Sequence, residues 1–396
     1  MLFKRLHPHH VAWLIIAVLL AALWFRYSAP YAPWKPLPKS QIQRHEISQY
    51  LPSDFLGFIK GWKQLSRTSS VEELMEHSQF KYSPGLLAVF SLLSHDSPIV
   101  AWFVYSTFCI LLLGLTLFLG FRYATWRSVG MLLVGLVLAW NGFLGILANG
   151  QLEILILAIA VGAGAILKDW PFFSGLLLGC LPWFKLPWIL LVFPFMLMLH
   201  SVRRRFRLFF SGYLLSCFIW AAMVPSLILG PERAILVSQK WFTLLQNQSL
   251  SLYLTPENQS VWVSAIRWFE GNMELALGVA CLLTSVILAR FTIRSALTPL
   301  PTKNVFAWLS PWLVLNQVLT PMSWRWGSIF LLGMPFAIRY SVRGKWARIS
   351  IWVLVTILWM IQMNWFIQII GLGVWNDLYL YGYITFFWLV LLVLAS

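Results

Sequence analysis

A carboxylate at the start of a short amphipathic segment is the first candidate for chemistry. Asp54 lies in the sequence Pro52-Ser53-Asp54-Phe55, and a carboxylate in that position could accept a proton from an attacking hydroxyl group. The same residue types also favour the beginning of a helix, because Asp and Ser cap the first turn and Pro fits into it. On local sequence alone, the helix cap is the simpler interpretation.

Two isolated cations have the charge that a phosphate group needs. Lys185 is the only formal charge in the stretch 170–202, and Arg325 stands between two tryptophans, whose rings can stack on its planar guanidinium group. A lysine at the end of a membrane helix can also snorkel to water, and an arginine between tryptophans can serve as an interfacial anchor. The isolation of Lys185 favours phosphate binding, whereas both interpretations stay open for Arg325.

Polar residues also stand at the start of an otherwise apolar run. Gln151 and Glu153 follow Gly150, which permits a close approach of the backbone, and lipid would reject both side chains. We therefore expect them to face the interior of a helical bundle, where they either line a cavity or form hydrogen bonds between helices.

Other motifs have suitable residue types but little specificity by themselves. The tripeptide Asn-Gln-Ser occurs at 247–249 and at 258–260, either as a glycosylation sequon or as a polar loop that covers a site. The segment 80–84, with Tyr82 at its centre, predicts a turn before a helix. A His-Asp pair at 95–96 is too small to predict a metal site, so we expect neither a metal nor a cofactor.

The composition indicates that lipid is the solvent for most of this chain. Of its 396 residues, 60% are hydrophobic and 11% are charged, whereas a soluble globular chain has about 25% charged residues. Tryptophan, which favours the membrane–water boundary, occurs 24 times. The net charge of +16 would suggest nucleic acid for a soluble protein. In a membrane protein, this positive charge is explained by basic residues that keep loops in the cytoplasm and attract anionic lipid headgroups. We therefore expect no nucleic-acid partner.

Apolar segments that could cross a bilayer recur along the whole chain. A span needs about 20 apolar residues, and fewer where helices are short or broken. The predicted spans are at about 10–27, 98–120, 128–146, 152–167, 170–184, 186–200, 206–229, 274–290, 304–320, 326–338, 349–370 and 379–395. The sequence thus predicts an all-α polytopic membrane protein with about twelve transmembrane helices, in one integral membrane domain, residues 1–396.

The distribution of charge orients these spans. If Lys4 and Arg5 lie in the cytoplasm, every short basic loop falls on the cytoplasmic side, as the positive-inside rule expects. Of the 13 acidic residues, only Asp169 then falls inside. Two long loops, 28–97 and 230–273, fall outside, so the polar chemistry of the chain is predicted to be extracytoplasmic.

The first outer loop contains predicted interfacial helices. Its apolar residues recur at helical spacing, namely Phe55, Phe58, Ile59, Trp62 and Leu65. A helix with this pattern lies in the membrane interface with its apolar face towards the lipid. Ser70 and Glu73 form a capping box that begins a second short helix.

The order of the motifs along the chain is itself informative. Asp54-Phe55 precedes an aromatic-rich helix, Tyr82-x-Pro84 closes the first loop, and Gly150-Gln151 opens a span. Three further motifs follow, namely Gly175-x3-Gly179 leading to Lys185-Leu186-Pro187 and the basic cluster 203–207, then Asn258-Gln259-Ser260, and finally Pro321-x-Ser323-Trp324-Arg325. In this order, over about 50–330, they resemble family eighty-seven of the GT-C glycosyltransferases, the α-1,2-mannosyltransferase-like family. The family often has His where this chain has Trp326, and Asn or Ser where it has Glu153.

The resemblance implies a GT-C type fold and an inverting transfer of a sugar, commonly mannose, from a polyprenyl-phosphate donor. The acceptor would be a hydroxyl of a lipid or glycan at the extracytoplasmic face of the inner (plasma) membrane. Asp54 would be the catalytic base, and Lys185 and Arg325 would bind the donor phosphate. The residues that would bind substrate are Tyr82, Gln151, Glu153, Asn258, Gln259, Ser323 and Trp324.

Two other functions stay open at this stage. A lipid or solute transporter needs polar residues along a path through the membrane, but the inner halves of the spans are almost free of ionisable residues. An inactive accessory subunit of a cell-envelope synthesis complex would be compatible with Trp326 and Glu153, and it would not need Asp54.

Overall fold

The part of the chain that the structure describes is helical. The structure is a computed structural model, and it describes residues 7–32, 51–52, 54–59, 83–91, 97–121, 125–246, 305–319 and 325–341, with scattered positions in 272–285 and 345–356. Within these ranges there is no β-strand.

Most of the described chain is α-helix, interrupted by short 3-10 and π-helical turns. The α-helices, numbered in chain order, are α1 (Pro8–Tyr27), α2 (54–59), α3 (Pro84–Ser91), α4 (Pro98–Phe121), α5 (Trp126–Asn149), α6 (Glu153–Ile166), α7 (Pro171–Leu178), α8 (Leu181–Phe184), α9 (Val192–Leu199), α10 (Arg203–Phe218), α11 (Val224–Leu229), α12 (Pro231–Gln246), α13 (Val305–Leu319) and α14 (Met334–Ser341). The 3-10 helices are Ala29–Tyr31, Leu186–Leu191 and Arg325–Gly333, and a π-helical turn, Ile219–Met223, joins α10 to α11.

Several helices can cross a membrane. Among the described residues, α1, α4 and the continuous run Arg203–Leu229 are long and apolar enough, and α5 is a fourth if its two halves, bent by 47° after Trp140, count as one span. Leu14 and Leu111 on these helices are each 65% exposed, a surface that lipid accepts. The chain is therefore a helical membrane protein.

The structure confirms part of the predicted series of spans. These four helices coincide with the predicted spans 10–27, 98–120, 128–146 and 206–229. The predicted spans at 152–167, 170–184, 186–200 and 326–338 are shorter apolar helices. In the second and third of these, Pro182 and Pro187 lack the N–H groups that a continuous helix needs. Since 274–290, 349–370 and 379–395 lie largely or wholly outside the described residues, the number twelve stays a prediction.

The first loop differs from its prediction in one respect. The apolar residues at the start of the predicted interfacial helix do not face lipid, because Phe55, Phe58 and Ile59 are at most 3% exposed and belong to the protein core. Residues 60–82, which include the rest of this helix and the capping box, lie outside the described residues.

Two helices pack through glycine. Helices α7 and α10 run side by side in the same direction, and a Cβ on Gly175 would collide with the carbonyl oxygen of Phe209, as one on Gly212 would with that of Phe172. Small residues allow such close backbone contact, which is how helices associate in lipid. The contact sets how closely α7 lies to α10, and α7 is followed by α8 and Lys185.

The bundle has two ends of different chemistry. At one end, Trp102 Nε1 donates a hydrogen bond to the carbonyl oxygen of Tyr27 (3.2 Å), and α5 ends where α6 begins with Glu153. We call this the carboxylate end. The opposite end, where α5 begins and α14 ends, holds Arg127 and Arg339, and we call it the arginine end.

We expect Gly212→Ala to destabilise the protein by about 1–3 kcal/mol, because the new methyl group overpacks the contact between α7 and α10. Gly130→Ala in α5 is the matched control, since a Cβ there meets nothing within 4 Å and alanine favours a helix by up to about 1 kcal/mol. The measurement is the midpoint of thermal unfolding in one detergent. Equal midpoints for the two variants would contradict the proposed packing.

Candidate active site

Four side chains that the sequence analysis selected meet at the carboxylate end. Gln151 donates from Nε2 to Oδ2 of Asp54, and its Oε1 accepts a hydrogen bond of 3.4 Å from the ammonium group of Lys185. Lys185 also forms an ion pair with Oε1 of Glu153. We call this connected chain of Asp54, Gln151, Lys185 and Glu153 the polar cluster.

Asp54 is held by the aromatic packing of the helix that it begins. It is half-buried at the start of α2, while Phe55 and Phe58 are fully buried. The Phe55 ring lies 5.1 Å from that of Trp102 and 5.3 Å from that of Tyr105, between ring centroids. Such pairs add about 0.5–1.5 kcal/mol each to the effect of burial. The start of a helix is also a favourable place for a carboxylate.

Gly150 makes the turn that presents Gln151. Its φ of 72° lies in the left-handed region, and its N–H bonds to the carbonyl oxygen of Ile146, which ends α5. A Cβ on Gly150 would lie 2.6 Å from Cβ of Phe55, so glycine permits both the turn and the close approach of α2. The motif Gly150-Gln151 thus joins α5 to the helix that begins with Asp54.

Tyr105 contacts both α2 and the backbone of Gln151. Its ring packs against Phe55, and its hydroxyl group donates to the backbone oxygen of Gln151 (2.9 Å). Tyr105 was not among the residues selected from the sequence, because no motif surrounds it in α4. The available signal was a hydroxyl group inside an apolar span, which needs a partner where water is absent.

A break between two short helices presents Lys185. Helix α8 ends at Phe184, Lys185 has an extended backbone (φ −147°, ψ 113°), and the 3-10 helix begins at Leu186. The side chain of Lys185 is 24% exposed. The backbone leaves the helical conformation at this break, and from there the ammonium group reaches Gln151 and Glu153.

Glu153 is a buried charge that depends on Lys185. It is the first residue of α6 and is 3% exposed. Its Oε1 accepts from Lys185, whereas Oε2 is buried with no hydrogen-bond partner in the described part of the chain. The helix N-terminus favours a carboxylate there, but an unpaired buried ion costs several kcal/mol.

The charges of the polar cluster do not by themselves suit a phosphate group. With all groups ionised, two carboxylates face one ammonium group, so an anion would need a further cation nearby. Arg325 begins the segment 325–341. This segment runs antiparallel to α5, because Leu332 touches Gly135 and Arg339 shares a cavity with Arg127, so the segment begins on the side of the carboxylate end.

The other predicted substrate-binding residues, namely Tyr82, Asn258, Gln259, Ser323 and Trp324, lie outside the described residues. Ser83, which follows Tyr82 in the sequence, is buried and donates to the carbonyl oxygen of Trp183. Helix α3 therefore begins beside α8, the helix that ends next to Lys185. In the described residues, no three His, Cys, Asp or Glu side chains form a group that could hold a metal ion.

The chain was compared with known protein families, curated proteins and solved structures. The model of glycosyltransferase family 87 matches residues 80–315, which is more than half of the chain. The matched region includes Gln151, Glu153 and Lys185, whereas Asp54 lies before it and Arg325 after it. No curated protein and no solved structure matches the chain.

We expect Lys185→Met to lower the free energy of unfolding by about 3 kcal/mol, because it leaves Glu153 buried without a counter-ion. The double variant Lys185→Met, Glu153→Gln should recover much of this loss, since no buried charge is then left. Lys168→Met, at an exposed lysine after α6, is the control and should change little. Thermal or denaturant unfolding in detergent measures all three. A double variant as unstable as the single one would contradict the pairing.

Proposed function

The chain belongs to glycosyltransferase family 87, and from this premise we propose that it is an inverting transferase that uses a polyprenyl-phosphate sugar, with mannose as the sugar to test first. The acceptor is a hydroxyl group of a lipid or glycan. The observation that carries this proposal is the polar cluster, which holds the carboxylate of Asp54 and the ammonium group of Lys185 on the same glutamine.

Asp54 is the base in the proposed step. The acceptor oxygen attacks the anomeric carbon, the bond from this carbon to the phosphate oxygen breaks, and the hydroxyl proton passes to Asp54. The polyprenyl phosphate leaves as an anion. One carboxylate suffices because the donor is already activated and a single displacement inverts the anomeric centre, as in the inverting hydrolases. The hydrogen bond from Gln151 orients the carboxylate before the acceptor arrives.

Lys185 and Arg325 bind the phosphate in this proposal. The charge that develops on the leaving phosphate is stabilised by cations fixed in advance in a site with little water. Lys185 is held by Gln151 and Glu153, so little reorganisation of the ammonium group is needed. Arg325 supplies the additional positive charge that the polar cluster lacks. Glu153 is a positioning residue, since it acts on the phosphate through Lys185.

We place this site at the extracytoplasmic face of the inner (plasma) membrane. The arginine end has Arg127, Arg339 and Arg348 around one cavity, and α10 begins with three arginines, 203–205. By the positive-inside rule this end faces the cytoplasm, so the polar cluster faces outwards. The GT-C type fold and about twelve spans in a single domain belong to the same proposal.

Family membership favours a transferase over a lipid or solute transporter. An accessory subunit without activity differs from the transferase in one measurable respect, which is its indifference to Asp54. The first experiment therefore tests this residue.

We expect Asp54→Asn to lower kcat of sugar transfer by about 10²–10⁴, because the amide cannot accept the hydroxyl proton. The measurement is transfer by the purified protein from a panel of polyprenyl-phosphate sugars, beginning with mannose, to lipid and glycan acceptors. Asp169→Asn removes a carboxylate that is exposed in the turn between α6 and α7, and it should keep full activity. Thermal unfolding verifies that both variants are folded.

The outcomes separate the hypotheses. Transfer of a different sugar by the wild type, lost with Asp54→Asn, would change the sugar and keep the mechanism. Equal transfer by wild type and Asp54→Asn would exclude Asp54 as the base and direct the search to Glu153. A wild type that binds a donor lipid but transfers none of the sugars would support the accessory subunit.

We expect Lys185→Gln to lower kcat by about 10²–10³, because the charge on the leaving phosphate loses a fixed cation. Lys185→Arg should recover part of this loss, since it keeps the charge with a different shape. Lys168→Gln is the control for the loss of a positive charge. If KM for the donor rises while kcat stays constant, Lys185 binds the donor without stabilising the transition state.

A further inference from the structure

A second charged site lies at the arginine end, away from the polar cluster. It is a cavity of about 390 Å³ between the start of α5, the end of α14 and the side chains of Arg348 and Trp352. Helix α5 has 24 residues, so its start at the cavity is separated from Gln151 by roughly 36 Å of helix. Its walls are formed by three arginines and by apolar residues that include Met131, Ile338 and Trp352, the arginines being Arg127, Arg339 and Arg348.

The charge around this cavity has one sign. Within the described ranges no acidic residue lines it, and neither Arg127 nor Arg339 forms an ion pair. The two cations Arg127 and Arg339, which share this cavity, repel each other unless an anion neutralises them. The guanidinium group suits phosphate in particular, because its planar fork can donate two parallel hydrogen bonds to phosphate oxygens.

Two exposed tryptophans place this cavity at the level of the lipid headgroups. Trp126 is 51% exposed next to Arg127, and Trp346 is 77% exposed two residues before Arg348. Tryptophan favours the boundary between membrane and water. A cavity at that level with a basic rim and apolar walls fits a molecule that has an anionic head and a hydrocarbon body.

We propose that this cavity binds the headgroup of an anionic phospholipid. The phosphodiester lies among Arg127, Arg339 and Arg348, and the acyl chains leave along the lipid-facing side of the bundle. The volume is within the range of about 300–1,000 Å³ that is usual for small-ligand sites. The proposal concerns the arginine end alone and does not depend on which reaction the polar cluster performs.

Binding at this site would stabilise the packing of the two segments that run between the ends of the bundle. Helix α5 leads from Arg127 to Gln151, and the segment 325–341 leads from Arg325 to Arg339. A phosphate that joins the arginines of both segments would hold them against each other. The bound lipid should therefore stabilise the fold as well as occupy the cavity.

The experiment is lipid binding by the purified full chain in detergent, measured by native mass spectrometry and by the midpoint of thermal unfolding. We expect phosphatidylglycerol to bind at least about tenfold more tightly than phosphatidylcholine. The double variant Arg127→Gln, Arg339→Gln should weaken phosphatidylglycerol binding by about fivefold for each arginine. The matched control is Arg203→Gln, Arg204→Gln, which removes the same charge from exposed residues outside the cavity and should keep the preference.

A second variant tests the cavity without changing its charge. Met131→Trp places a large side chain in the cavity, and it should also abolish the preference for phosphatidylglycerol, which keeps the test decisive if the arginine variant does not fold. Equal losses in both arginine pairs would overturn the proposal, because they would show a general attraction to a basic surface. A wild type that does not prefer phosphatidylglycerol to phosphatidylcholine would also overturn the proposal. Full stabilisation by inorganic phosphate alone would overturn it too, because it would indicate a site for a free anion.

Discussion

A charge inside a lipid-embedded bundle must have a partner, and the carboxylate end of this protein is organised around that requirement. Glu153 is buried at the start of α6 and pairs with Lys185. For the ammonium group to arrive there, the chain must leave its helix at Lys185, and two prolines make this break possible. Lys185 donates a hydrogen bond to Gln151, and Gln151 in turn donates one to Asp54. A carboxylate that can accept a proton is thereby held in a defined place by a pair of charges that lipid would otherwise reject.

The same constraint explains why backbone contacts are close in this bundle. Lipid is as apolar as leucine, so helices gain little from burying apolar surface against each other, and packing of small residues takes its place. Gly175 and Gly212 bring α7 against α10, and Gly150 brings α5 against α2. These glycines touch no substrate in the proposed mechanism, yet they set the positions from which Lys185, Gln151 and Asp54 start. The glycine motifs of the sequence therefore belong to the framework of the site.

The two ends of the bundle divide the charges between them. The carboxylate end concentrates Asp54 and Glu153, whereas the arginine end concentrates guanidinium groups beside exposed tryptophans. Both proposed sites recognise a phosphate on a lipid, but their surroundings suit different roles. At the carboxylate end a base stands next to the cation, which allows chemistry, and at the arginine end cations stand against apolar walls, which allows only binding. Helix α5 and the segment 325–341 connect the two.

The sequence alone determined the membrane character, the positions of α1, α4 and the long run Arg203–Leu229, and the selection of Asp54, Gln151, Glu153 and Lys185 as candidates. For Gln151, Glu153 and Lys185 this follows from local composition, because a polar residue in an apolar stretch is conspicuous without any knowledge of its neighbours. For Asp54, whose local sequence favours a helix cap, the order of the motifs along the chain was also needed. The tertiary structure alone decided that these four residues form one connected chain, that Tyr105 supports it, and that the apolar face of α2 packs on aromatic rings instead of lipid. Such contacts join segments far apart in the chain. They depend on how helices cross and where glycine lets backbones touch, which no local pattern specifies.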